Sequence, residues 1–145
     1  MSNAETYDAI FRVVRGENRA IALRVTERET DRPLFRSDIR RVTYSIAKRG
    51  LQSTIQLGPP TSTPIVGHTN VEIPVAECIR DNPPVDPIDG VAYNFLYIIP
   101  TVDENDNDIS PFTEVGTTYD VSVRFFPYIG GRKFTSVRTV RVECI

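Results

Sequence analysis

Between Val115 and Pro127 apolar and polar residues change places at almost every step. Tyr119, Val121, Val123 and Phe125 alternate with Asp120, Ser122 and Arg124. An extended backbone sends successive side chains to opposite faces, so this period of two predicts a strand with one buried face and one wet face. Gly116 precedes it, where a chain can turn sharply, and Pro127 ends it, because proline has no N–H to give to a ladder. Weaker versions of the pattern recur along the chain. Residues 7–15 read as an edge or bulged strand. Residues 19–27 read as a strand with Ile21, Leu23 and Val25 inward, and Gly16-Glu17-Asn18 predicts a hairpin between the two.

Residues 28–38 form a polar connection in which Pro33 breaks any ladder and Leu34-Phe35 tucks under the sheets. Residues 40–48 are a third strand with Val42, Tyr44 and Ile46 inward, and short strands are expected at 54–57 and 71–73. Residues 58–70 read as a loop by composition, and 74–79 as one helical turn with Pro74 in its first position. Pro83, Pro84 and Pro87 make 81–90 a stiff, extended connector. In 91–99, Tyr93, Phe95, Tyr97 and Ile99 share one face, while Leu96 and Ile98 suggest cover on the other as well. Residues 103–114 are an acidic loop. Gly130-Gly131 closes a hairpin to a last strand at 133–143, where Phe134, Val140 and Val142 share one parity and Val137 the other, predicting a bulge at 136–138.

Seven to nine strands, almost no helical periodicity and no internal repeat predict an all-β two-sheet sandwich or barrel with long Pro-rich connectors. The length of 145 residues suits one domain, 7–145. Ser2-Asn3-Ala4 looks like the remnant of a cleaved tag, so 1–6 is expected to be a disordered tail. A net charge of −2 gives no global pull toward nucleic acid or anionic lipid, and no apolar run approaches the length of a membrane span. Arg36, Arg40, Arg41, Lys48 and Arg49, and then Arg132, Lys133, Arg138 and Arg141, are read as solvated strand faces. Paired with the acidic loop, they would also suit head-to-tail contacts between copies.

The run Gly116-Thr117-Thr118-Tyr119-Asp120-Val121-Ser122-Val123 resembles the corner before the penultimate strand of fibronectin type III and other immunoglobulin-like domains. That resemblance implies an immunoglobulin-like sandwich in which the Tyr119 hydroxyl bonds back to the main chain. A vaguer resemblance, to small immunoglobulin-like proteins of tailed-phage and prophage-like gene sets, rests on four segments. These are Asp31-Arg32-Pro33-Leu34, Ile73-Pro74-Val75, Tyr93-Asn94-Phe95 and Tyr119-Asp120-Val121. It implies a virion or tail accessory role, in a virion-associated or extracellular setting.

Candidate chemistry is sparse. Asp103, Asn105, Asn107 and Glu114 fall at positions 1, 3, 5 and 12 of a run that resembles an EF-hand calcium loop, with Asp108 where that loop has glycine. Residues 103–107 also resemble the Asp-x-Asn-Asp-Asn linker of cadherins. Two readings stand: a turn whose Asp and Asn side chains serve its own backbone, or a calcium loop, as in a calcium-dependent adhesion or carbohydrate-binding module. The sole histidine, His68, reads as an exposed loop residue, and Cys78 and Cys144 as small hydrophobes, with a bridge between them left open. Glu72, Glu77, Asp81 and Asp86 lie on turn-rich segments, and no nucleophile elbow, phosphate loop or zinc spacing occurs. The chain is therefore read as a non-enzymatic structural or interaction module. It would bind a protein partner or itself, without nucleic acid, membrane, small-molecule substrate or obligatory cofactor.

Overall fold

Two long strands carry the core. The structure, a computed structural model, describes residues 9–49, 62–131, 134 and 136–145. In it β3 (Ile39–Arg49) and β7 (Thr118–Pro127) lie antiparallel in the middle of a six-stranded sheet. Their alternation buries Val42, Tyr44 and Ile46 on one strand and Tyr119, Val121, Val123 and Phe125 on the other, as the period of two requires. β8 (Val137–Cys144) pairs antiparallel with the free side of β7, and β1 (Ala9–Val13) runs parallel to β8 as the edge. Along the other side of β3, β4 (Ser62–Pro64) and β5 (Val71–Ile73) follow one another.

A second sheet is the antiparallel pair β2 (Ala20–Leu23) and β6 (Phe95–Ile98). It faces the first through aromatic rings. Phe95 meets Phe125 edge-on with centroids 5.5 Å apart, and Tyr97 tilts against Tyr44 at 5.4 Å. Each such pair adds about 0.5–1.5 kcal/mol beyond its buried area. The result is an all-β, sandwich-like arrangement of two sheets. Between them, α1 (Val75–Cys78) makes a single turn after Pro74, which sits at its N-cap rather than inside its first turn.

Several sequence expectations change. β1 and β2 do not form a hairpin: the Gly16 turn passes the chain from the large sheet to the small one. The 58–70 loop is in part a strand, since Ser62–Pro64 pairs with β3. The connector 81–90 is not extended throughout. It folds back on itself, with Val85 bridging Ala92, Gly90 N–H donating to Asp86 O at 2.8 Å, and Asp86 and Asp89 carboxylates accepting amides. Ile98 is 56 % exposed, so β6 is covered on one face only at that point. The bulge at 136–138 does not arise, because Val137 simply faces outward at 41 % exposure while pairing stays in register from Val137 to Glu143. The strand expected at 54–57, the 1–6 tail, Arg132 and Lys133 lie outside the described residues.

Candidate functional site

His68 shows how this fold uses its polar side chains. Residues 65–70 interrupt the edge formed by β4 and β5, yet stay on the ladder: Ile65 N–H donates to Ile46 O at 2.9 Å, and Ile46 N–H to His68 O at 2.7 Å. Within that bulge His68 N–H returns to Ile65 O at 3.1 Å, closing a turn. Gly67, at φ +85°, supplies the left-handed residue that a type II turn needs in third place. The turn throws the imidazole inward, where it is fully buried, and so overturns the expectation of an exposed loop histidine. Nε2 lies 2.6 Å from Ile109 O and Nδ1 lies 2.8 Å from the Tyr44 hydroxyl. A carbonyl can only accept, so Nε2 carries the proton, and Tyr44 donates to Nδ1. Burial lowers the histidine pKa, against a smaller opposing effect from the bond to Ile109. Burial likewise raises that of Tyr44, with the neighbouring Tyr97 adding to it. The pair is neutral and joins three segments.

Asn94 does the same work at the other end of the small sheet. It is fully buried. Its Oδ1 accepts Val25 N–H at 2.7 Å, while Nδ2 donates to Val25 O at 2.7 Å and to Leu34 O at 3.0 Å. The side-chain amide thus imitates a neighbouring strand. Tyr119 is the third case. Its hydroxyl accepts Glu114 N–H at 3.2 Å and its ring stands edge-on to Phe112 at 5.2 Å, so the hydroxyl does bond back to the main chain at this corner.

The acidic turn is also tied to its own backbone. Asp103 accepts the amides of Asn105 at 2.8 Å and Asn107 at 2.9 Å, and the Asn107 side chain at 3.2 Å. Those bonds, the Asn107 amide first, hold the Asp103 carboxyl below its usual range. Asp103, Asn105 and Asn107 are therefore brought together, whereas Glu114 lies with Lys48 in an ion pair. Among the described residues no group of three or more His, Cys, Asp and Glu side chains is placed to hold a metal. Cys78 and Cys144 are free and buried, and burial pushes the Cys78 thiol up to about 12. The acids singled out in sequence are engaged one by one: Glu72 with Arg41 at 2.8 Å, Asp81 with the amide of Arg36 at 2.7 Å, and Asp86 with that of Ile88 at 2.8 Å. Glu77 is exposed on α1.

What faces solvent with chemistry to offer lies on the outer face of the large sheet. Phe126 is half-buried there, with guanidinium carbons of Arg40, Arg41 and Arg124 at 5.7, 5.3 and 5.7 Å from its ring centre. A register shift between Ile39 and Arg41 is what brings two successive arginines to one ring. The basic run 40–41 was visible in sequence, but its convergence on Phe126 needed the bulge and the partner strand. No helix among the described residues is long and apolar enough to cross a membrane. No protein-family model, curated protein or solved structure matches the chain.

Proposed function

We propose that this chain is a non-enzymatic structural or interaction module of the virion or tail accessory kind. It meets a protein partner or further copies of itself through its rims and its outer sheet face. The observation that carries this reading is the fate of the buried polar side chains. His68 and Asn94 bond to main-chain groups from distant segments, and Tyr119 to the amide five residues before it, so their polarity is spent on holding loops. Recognition is then left to exposed groups, above all the arginines around Phe126. The virion setting rests on the resemblance of the 31–34, 73–75, 93–95 and 119–121 segments to prophage-encoded immunoglobulin-like proteins.

The test is fractionation of the source organism after prophage induction. The chain is expected to band with particles in a density gradient and to stay with them through a salt wash. Its recovery only as free protein, with particles of normal composition lacking it, would overturn the virion role.

A further inference from the structure

We infer that the Arg40–Arg41–Arg124 cluster on Phe126 is the receiving surface for the acidic turn of a second copy of this chain, so that copies join head to tail. The inference rests on the interaction-module reading above and names the surfaces involved.

The first observation is charge left over. Three guanidiniums crowd one aromatic ring, and among the described residues only Arg41 has a carboxylate partner, Glu72. Like charges held this close repel, and an incoming carboxylate relieves that repulsion. Arginine over an aromatic face also keeps its N–H edge free to bond a carboxylate.

The second observation is position. β7 ends at the cluster, with Phe126 beside Pro127, and begins near Thr118. β6 runs the opposite way, from Phe95 against Phe125 to Tyr97 against Tyr44, and Tyr44 is paired with Val123. It therefore hands the chain to the acidic turn at the end of the sandwich where β7 starts. The returning leg confirms this, with Phe112 on the Tyr119 ring and Glu114 on Lys48. The two surfaces are separated by most of β7, roughly 25 Å at about 3.3 Å per residue. They lie at opposite ends, so a single copy cannot satisfy both from within.

The third observation is complementarity. Asp103 and Asp108 accept amides within the turn, while Glu104 and Asp106 at its tip are exposed and have no cationic partner among the described residues. Exposed Val102 and Val115 flank that end, and exposed Tyr128 and Ile129 flank the other. Opposite charges steer the two ends together, and the flanking apolar side chains give the contact surface to bury. A contact joining unlike patches repeats without closing unless a rotation brings it round, giving rows or rings.

The experiment is sedimentation velocity on the full chain, from micromolar to millimolar concentration, at low and at high salt. The wild-type chain is expected to grow with concentration at low salt and to fall back to monomer at high salt, as screened charges require. R40E/R124E and, separately, E104K/D106K are expected to stay monomeric, with circular dichroism showing each folded. Mixed in equal amounts, the two variants should assemble again, because the intact turn of one meets the intact cluster of the other and the two charge-reversed surfaces are themselves complementary. A wild type that stays monomeric at millimolar concentration and low salt overturns the inference, as does the same result with retention on heparin through Arg40 and Arg124. Association unaffected by either double variant overturns the assignment of surfaces and leaves the interaction-module reading standing. Rows in solution without the chain in particles would do the reverse.

Discussion

Replacing Asn94 with alanine tests whether one side chain fastens the second sheet to the connection 28–38. The amide serves Val25 N–H, Val25 O and Leu34 O, all at 3.0 Å or less. Val25 O keeps a second donor, Leu34 N–H at 3.0 Å, so truncation strands two buried groups, Val25 N–H and Leu34 O. At about 1–3 kcal/mol for each orphaned group, Asn94→Ala is expected to cost about 2–6 kcal/mol. That is a large part of the roughly 5–15 kcal/mol that holds a typical domain together. Asn94→Asp sharpens the test by keeping the shape. Its second oxygen would face two carbonyls, so the neutral acid is favoured in the folded state and its folded pKa rises above the unfolded value near 3.9. A raised folded pKa means stability that is present at low pH and lost as pH climbs through the folded value. The aspartate variant should therefore lose ground to wild type between about pH 4 and pH 7. Urea titrations followed by far-ultraviolet circular dichroism measure both effects, which matters because the chain has no tryptophan. An alanine variant within about 1 kcal/mol of wild type, or an aspartate variant whose pH profile parallels wild type, refutes the reasoning.

Other outcomes follow from the same geometry. His68, its pKa lowered mainly by burial, should titrate below the unfolded value near 6.5. Its contribution to stability is then full above that value and lost as pH falls toward the folded one, and the single imidazole proton signal in an NMR pH titration reads this directly. A histidine titrating at or above 6.5 would contradict the buried neutral tautomer. Cys78 and Cys144, both buried, should resist a thiol reagent in the native protein and react together in denaturant; rapid labelling of either in the native state would count against the packing. With Asp103 already accepting three N–H bonds, millimolar calcium should leave the melting temperature unchanged. A rise reversed by chelator, and lost in Asp103→Ala, would instead favour the calcium reading of Asp103, Asn105, Asn107 and Glu114.

The strands that alternate strictly were legible. β7 could be read residue by residue, and β3 from Val42 to Ile46, because the core-facing residues alternate with polar ones and that division is written into the sequence as a period of two, although Thr43 is buried on the other face of β3. The β1–β2 connection was not, because a Gly-centred turn that reverses a strand looks like one that carries the chain to another sheet. Val137 misled because an exposed valine imitates a slipped register. The bonds that fix the loops were the least visible. Asn94 finds Val25 and Leu34, and His68 finds Tyr44 and Ile109, so the partners are distant and most are main-chain atoms that any residue type would supply. No spacing rule encodes such a bond. A lone histidine between Gly67 and Asn70 gave only the turn, not the direction in which it points. Of the candidate surfaces, the acidic turn was evident from composition, whereas the arginine cluster depended on a bulge in β3.

The parallel ladder between β1 and β8 sets an order of events. Ala9 pairs with Val140 and Val13 with Cys144, so β1 must wait for a partner made more than a hundred residues later. Contacts between segments so far apart in sequence form slowly, because a long loop must close before they repay it. Until residues 137–144 have been made, β1 has no neighbour in the large sheet, and that sheet stays one strand short at its edge.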